Sequence, residues 1–134
     1  MNDRFKFRGW HKELKQMSEV ESLCPYEDAT TKNGEVFLYL NNKNSYYFPE
    51  EVEVMQCTGL KDKNGKLIYE GDIVKTEYTT PSGIDMEEIC TVNFDRCAFW
   101  INKGYCAYYL DNENCIYEII GNIYENKDLL NENS

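Results

Sequence analysis

Alternating apolar and polar residues predict short β-strands along most of the chain. The stretch RFKFRGW, residues 4–10, places Phe5 and Phe7 on one side and charged residues on the other. This period of two is typical of a half-buried strand. Residues 36–40 resemble a strand that follows an Asn-Gly turn, whereas the rest of 18–47 gives little signal. No long stretch has the 3.6-residue period of an amphipathic helix.

The segment QCTGLKDKNGKLIYEGDIVK, residues 56–75, predicts a strand, a tight turn, a strand, a bend and a further strand. Asn64 and Gly65 predict a hairpin with a type I′ turn, because both central residues of that turn need positive φ. Gly71 can adopt a backbone conformation closed to other residues, and Asp72 can accept backbone N–H bonds locally. The segment therefore indicates folding rather than a reactive centre.

Further apolar runs separated by turn signals fill the second half of the chain: CTVNF, AFWI, YCAYYL and CIYEIIGNIYE. Short strands about ten residues apart favour a small barrel or meander. The expected fold class is α+β, predominantly β, with few short helices. The length predicts a single domain over residues 1–134, of which 126–134 form a C-terminal tail.

The charge balance is acidic, with 14 basic against 24 acidic residues and a net charge of −10. Such a charge disfavours non-specific binding to nucleic acid, although the first 16 residues are locally basic. No segment approaches the roughly 18 to 20 apolar residues of a membrane span, and the N-terminus lacks the apolar region of a secretory signal. We expect a soluble, cytoplasmic protein with no membrane partner.

The six cysteines show no C-x-x-C spacing, and His11 is the only histidine. A Cys2His2 zinc site is therefore excluded, and without export a disulfide framework is not expected. The cysteines are predicted to be reduced core residues, because most stand among apolar side chains. His11, in a polar segment, is interpreted as a solvated loop residue.

Candidate catalytic chemistry is sparse. Nucleophilic triads and Cys-His pairs would all depend on His11. Glu70 and Asp72 are the remaining candidates, as a carboxylate pair in a metal-dependent hydrolase, but turn chemistry explains them without a metal. No glycine-rich phosphate loop occurs. The sequence predicts no catalytic residue, no metal and no cofactor.

The aromatic residues are better candidates for function, because eleven tyrosines in a small domain cannot all bury both ring and hydroxyl. Some must be exposed, where they could contact a second copy of the chain or another protein. We expect a homo-oligomer, an unknown protein partner, or both. The candidate partner surface comprises Tyr46, Tyr47, Trp100, Tyr108 and Tyr109.

Three blocks of the sequence together resemble one known family. They are KFRGW at 6–10, QCTGLKDKNGKLIYEGDIV at 56–74 and IGNIYENKDLL at 120–130. In this order they resemble the YopX family of phage and prophage proteins, with Gly9 standing where a larger residue is usual. The structural signature that the resemblance marks comprises Trp10, Gln56, Thr58, Gly59, Asp62, Gly65, Tyr69, Glu70, Gly71, Asp72, Gly121 and Asn122.

The resemblance implies a β-rich fold containing an SH3-like barrel, a phage-borne gene and residence in the cytoplasm of a bacterial host. It implies a largely uncharacterised molecular function and supplies no catalytic residues. We therefore expect a phage- or prophage-encoded accessory protein that acts as a non-enzymatic β-barrel binding module for a protein partner. The alternatives are a nucleic-acid-associated protein or an acidic DNA mimic, acting in phage replication or host takeover.

Overall fold

The computed structural model describes residues 6–25, 36–40, 45–47, 49–103, 106–110 and 115–131. Within these ranges the side chains of 21–25, 36–40, 45–47, 49, 103, 106–107 and 131 lie outside the description. Backbone contacts divide the chain into two compact units, Met1–Gln56 and Cys57–Ser134. The prediction of a single domain stays a prediction.

The first unit contains one antiparallel sheet with strand order β4-β3-β2-β1-β5. A 3-10 turn, Pro49–Glu51, precedes the last of these strands. The strands are β1 (Phe7–His11), β2 (Gln16–Pro25), β3 (Val36–Leu40), β4 (Ser45–Tyr47) and the beginning of β5 (Val52–Lys61).

Strand β1 is paired on both sides, with β2 and β5, and its last residues are buried. His11 is only 4 % exposed, and its Nδ1 accepts a hydrogen bond from the backbone N–H of Leu14 at 3.0 Å. The turn that follows is closed by the N–H of Lys15, which donates to the carbonyl of His11 at 2.8 Å. The prediction of a solvated histidine is wrong, because the turn provides the imidazole with a local partner and permits its burial.

The second unit begins within β5, whose C-terminal part pairs with β6 (Leu67–Tyr69). Its main sheet is antiparallel with strand order β10-β9-β8-β7-β11, a meander of four strands with β11 returning beside the first. The strands are β7 (Asp72–Thr79), β8 (Asp85–Asp95), β9 (Ala98–Lys103), β10 (Cys106–Tyr109) and β11 (Cys115–Asn122). A short helix, α1 (Asp128–Asn131), follows.

One face of this five-stranded sheet carries the core of the second unit and is called the inner face below. The buried cluster comprises Ile68, Val74, Cys90, Val92, Ile101 and Tyr117, all 4 % exposed or less. Because side chains alternate along a strand, residues two positions further along β7, β8 and β11 belong to the same face. The opposite face of the sheet is called the outer face.

The predominantly β architecture confirms the predicted fold class, while the SH3-like barrel stays a prediction. Cys57 and Cys90 are buried, as expected of core thiols. Cys97 is exposed in the turn between β8 and β9, so the prediction of core cysteines is wrong there. The side chains of Cys24 and Cys106 lie outside the description. No helix in the described part of the chain has the length and apolar character of a membrane span.

Candidate functional site

The predicted middle segment is organised around the buried carboxylate of Asp62. One carboxylate oxygen, Oδ1, accepts hydrogen bonds from the backbone N–H groups of Asn64 and Lys66, both at 2.9 Å. The other, Oδ2, accepts from the N–H of Ile119 in β11 at 3.0 Å. Asp62 thereby closes its own hairpin loop and fixes that loop to a strand 57 residues away.

These hydrogen bonds also determine the ionisation of Asp62. Burial alone favours the neutral form of the carboxyl and raises its pKa. The N–H groups of Ile119, Lys66 and Asn64 favour the charged form and outweigh that effect, so the pKa of Asp62 is lowered from 3.8. The carboxylate is therefore ionised at neutral pH and serves as a structural acceptor.

The hairpin between β5 and β6 forms at the predicted position with a different turn. The N–H of Asp62 donates to the carbonyl of Lys66 at 2.8 Å, and the N–H of Gly65 donates to the carbonyl of Asp62 at 3.0 Å. Gly65 lies at φ 83°, whereas Asn64 does not have a positive φ. The loop thus has three residues with glycine in the left-handed position, and the predicted type I′ turn is wrong.

A second bend, at Gly71 and Asp72, joins three parts of the second unit. Gly71 lies at φ 87°; its N–H donates to the carbonyl of Val92 at 2.8 Å, and its carbonyl accepts from the N–H of Ile123 at 2.9 Å. The buried Asp72 accepts from the N–H of Tyr69 at 2.7 Å through Oδ2. Both residues therefore shape backbone at the start of β7.

The C-terminal block has the same character. Asn122 is buried, and its Oδ1 accepts from the N–H groups of Tyr124 at 3.0 Å and Glu125 at 2.9 Å. The Oδ1 of Asn126 accepts from the N–H of Asn122 at 3.2 Å. A Cβ on Gly121 would lie 2.5 Å from that same Oδ1, so only glycine leaves room for the Asn126 side chain.

The remaining signature residues lie along the strands and turns of the same blocks. Trp10 is buried in β1, and Gln56 is half-buried in β5. Thr58 accepts from the N–H of Leu60 at 3.1 Å through Oγ1, and Gly59 lies at φ 83° where the β5–β6 pairing is irregular. Tyr69 is buried and Glu70 is half-buried. Within the described residues, no three His, Cys, Asp or Glu side chains come together as metal ligands.

Three residues of the predicted partner surface lie on β9 and β10. The rings of Trp100 and Tyr109 form a stacked cross-strand pair on the outer face, with centroids 4.2 Å apart and an interplanar angle of 23°. The indole Nε1–H of Trp100 donates to the carbonyl of Asp95 at 2.9 Å, which fixes the ring. Tyr108, next to Tyr109, belongs to the inner face, since it pairs with Ile101.

The two tyrosines are well exposed and lie in an edge strand of the sheet, whereas Trp100 is half-buried in β9. Tyr108 is 58 % exposed and Tyr109 is 65 % exposed. Their strand, β10, is hydrogen-bonded to β9 alone in the sheet as described. We call Trp100, Tyr108 and Tyr109 the β10 aromatic surface. Tyr46 and Tyr47 lie in β4 of the first unit, with side chains outside the description.

An open pocket of about 370 Å³, absent from the sequence predictions, lies where the inner face leaves the core. It is lined by Thr76, Tyr78, Glu88, Ile101, Tyr108, Tyr109 and Cys115. The strand register brings these residues together, because Thr76 pairs with Glu88 on one side, and Tyr78 pairs with Cys115 on the other. We call it the inner-face pocket.

Two polar groups distinguish the inner-face pocket from the core beside it. The Tyr78 hydroxyl is hydrogen-bonded to Glu88; burial raises the pKa of Tyr78 above 10.0, and the negative charge of Glu88 raises it further. Thr76 is 1 % exposed, and its Oγ1 has no hydrogen-bond partner among the described residues. Thr76 and Tyr78 stand two residues apart, which predicts a shared face of one strand, but Glu88 joins them only through the strand register.

Comparison with known proteins identifies relatives of this fold. The family model for "YopX protein" matches residues 6–131. The crystal structure of protein EF1440 from Enterococcus faecalis is similar with a TM-score of 0.54 and 28 % identity, covering 93 % of this chain and 96 % of that chain. The structure of protein yopX from Bacillus subtilis has a TM-score of 0.61 and 22 % identity, and the alignment covers 97 % of both chains. None of the curated proteins matches the chain.

Proposed function

Because this chain belongs to the YopX family, whose model spans residues 6–131, we propose that it is a phage- or prophage-encoded accessory protein that binds a protein partner without catalysing a reaction. The observation that carries the proposal is the β10 aromatic surface. Stacked Trp100 and Tyr109 offer a rigid aromatic platform on the outer face, and exposed Tyr108 lies on the inner face of the same edge strand. Tryptophan and tyrosine are the residues that most often dominate protein interfaces.

The mode of binding that this surface supports is strand addition at β10. An extended segment of a partner can add to a sheet by hydrogen-bonding to the backbone of an edge strand. Side chains of an added strand would alternate between the two faces of the sheet. One set would meet the Trp100–Tyr109 pair, and the other set would meet Tyr108. Self-association through the same edge would give the expected homo-oligomer, which sedimentation analysis measures directly.

The signature residues support a non-enzymatic role. Asp62, Asp72 and Asn122 all accept backbone N–H bonds, so their polar groups hold loops and strand ends in place. In the proposal these residues build the scaffold and the β10 aromatic surface binds. Residence in the bacterial cytoplasm belongs to the same proposal.

The test uses paired variants in affinity capture from induced bacterial host cells. Tyr109→Ala removes half of the exposed stack, and we expect a captured partner to be lost or weakened at least about tenfold, as for an interface hot spot. Phe94→Ala is the matched control: Phe94 is 44 % exposed and packs on Phe99, with ring centroids 5.0 Å apart, in the β8–β9 hairpin. Equal retention of the partner by wild type and Tyr109→Ala would refute the proposed surface.

A further inference from the structure

We propose that the inner-face pocket binds an arginine side chain of the protein partner. This inference rests on the proposed function, because it names the side chain that a partner at the β10 edge would insert. It concerns residues that the family signature does not include: Thr76, Tyr78, Glu88 and Tyr108. Each contributes a different part of the recognition.

The carboxylate of Glu88 provides the charge. It lies on the pocket wall and is hydrogen-bonded to the Tyr78 hydroxyl, which holds the carboxylate in position. A carboxylate has about four acceptor sites, so a guanidinium can donate to it while the tyrosine bond persists. Charge-assisted bonds of this kind are about twice as strong as neutral ones.

The pocket walls suit the rest of an arginine side chain. The rings of Tyr78 and Tyr108, together with Ile101, offer apolar and aromatic surface. A guanidinium stacks on aromatic faces, and its methylene stem packs on apolar surface while the charged end reaches a carboxylate. A volume of about 370 Å³ leaves room for a whole side chain.

The hydroxyl of Thr76 independently favours a ligand with a polar group. Its hydroxyl is buried with no partner among the described residues, an arrangement that usually costs free energy. Thr76 lies across the β7–β8 pair from Glu88, so one planar guanidinium can donate to Glu88 and also to Oγ1 of Thr76. An apolar ligand would leave this hydroxyl unsatisfied.

The surrounding charge favours a cationic ligand. Residues 75–89 contain four carboxylates, Glu77, Asp85, Glu87 and Glu88, against one basic residue, Lys75, which pairs with Glu87 at 3.3 Å. The first three line a neighbouring open pocket of about 640 Å³ that shares Tyr78 with the inner-face pocket. Residues 57–134 as a whole hold fourteen acidic and seven basic residues. A basic partner segment would therefore be attracted to this end of the sheet.

The test measures binding of N-acetyl-arginine amide to the full chain by two-dimensional NMR, with N-acetyl-citrulline amide as the uncharged probe of the same shape. We expect saturable shifts confined to the pocket residues, with a millimolar Kd for so small a ligand, and little response to citrulline. Equal binding of both probes, or shifts spread over the acidic surface, would overturn the inference.

Two variants localise the effect. Glu88→Gln removes the pocket charge and is expected to weaken arginine binding at least about tenfold. Glu87→Gln removes the same charge from the neighbouring residue, whose side chain is on the outer face and paired with Lys75 at 3.3 Å, and should change the Kd less than about twofold. Equal losses in the two variants would show general electrostatic attraction and refute the pocket.

A third variant keeps the test valid if Glu88→Gln perturbs folding. Thr76→Val retains the shape of the side chain and removes the hydroxyl, so we expect an unchanged or higher melting temperature with weaker arginine binding. Undiminished binding to this variant would refute the role of Thr76. The probes contain no partner protein, so their failure leaves the Tyr109 capture result standing. Conversely, equal retention of the partner by wild type and Tyr109→Ala, with intact probe binding, refutes only the proposed surface.

Discussion

The carboxylate of Asp62 is a buried acceptor that is held in place by hydrogen bonds from three backbone N–H groups. Sequence reasoning identifies Asp62 as a turn residue, because aspartate before Asn-Gly commonly bonds to backbone two residues ahead. Its bond to Ile119 could not be predicted, since it depends on where β11 passes the loop. The bonds of Asp62 within its own loop can thus be predicted from the sequence, whereas its bond to Ile119 depends on how the strands pack.

The lowered pKa of Asp62 makes stability depend on pH in a defined direction. A folded pKa below the unfolded value means that this contribution is complete above about pH 5 and is lost as pH falls through the folded pKa. We expect Asp62→Asn to lower the free energy of unfolding by about 2 kcal/mol at pH 7. The difference from wild type should shrink at pH 3, as urea denaturation at both pH values would measure.

Asp95→Asn is the matched control for that comparison. The Asp95 side chain is 73 % exposed and lies 3.8 Å from Arg96, so its replacement should change stability by less than about 0.5 kcal/mol. A difference between wild type and Asp62→Asn that is equally large at pH 3 would show that the effect comes from lost packing and not from ionisation.

At the scale of elements, the turn types of the β5–β6 and β8–β9 hairpins are the opposite of what their residues predict. Asn64 and Gly65 stand in a three-residue loop, whereas Arg96 and Cys97, at φ 51° and 61°, form the two-residue turn between β8 and β9. Both central residues of a type I′ turn need positive φ, which is unfavourable for arginine and cysteine. The register of β8 on β9 fixes this turn, and no local sequence signal marks it.

Replacing Arg96 and Cys97 with asparagine and glycine should therefore stabilise the protein. We expect the double variant to raise the free energy of unfolding by about 1 kcal/mol, because these residues tolerate positive φ. Arg96→Asn with Cys97→Ser removes the same charge and thiol without glycine and should gain less. Chemical denaturation of all three proteins makes the comparison; an unchanged midpoint for the Asn-Gly variant would show that the native turn is not strained.

The inner-face pocket is also a property of elements in register. Alternation in β7 and β8 is visible in the sequence, but the pairing of Thr76 with Glu88 requires the exact length of the turn between them. Pro81, Ser82 and Gly83 predict a turn or longer loop, and the alternation that predicts the next strand is clear only at Cys90, Val92 and Phe94, whereas β8 begins at Asp85. The pocket therefore could not be predicted, because without the true start of β8 the residues that share a face with Tyr78 are unknown.

At the scale of the whole molecule, the net charge disfavours nucleic acid as a partner. A net charge of −10 repels a phosphate backbone at long range. Two lysines, for example, are already paired with carboxylates: Lys12 with Glu53 at 3.2 Å, and Lys63 with Glu118 at 2.6 Å. Cationic surface for nucleic acid is correspondingly reduced in the part of the chain that the structure describes.

We therefore expect no gel shift of duplex or single-stranded DNA, even at about 50 mM salt, where phosphate contacts are strongest. A shift that disappears as salt increases would instead support the nucleic-acid hypothesis based on the basic N-terminal strand. Reversal of Lys6 to Glu would then test that hypothesis directly, with Lys127→Glu in the C-terminal region as the control of equal charge change.

The position of Cys97 has a practical use. Among the thiols whose burial the structure describes, Cys57 and Cys90 are enclosed, Cys115 is half-buried and Cys97 is exposed. Of these four thiols, Cys97 should react first with a maleimide fluorophore, and it lies in the turn whose Arg96 shares a shallow cleft with Trp100. The native chain carries its own labelling site beside the aromatic platform, and the emission of such a dye would change as a ligand docks there.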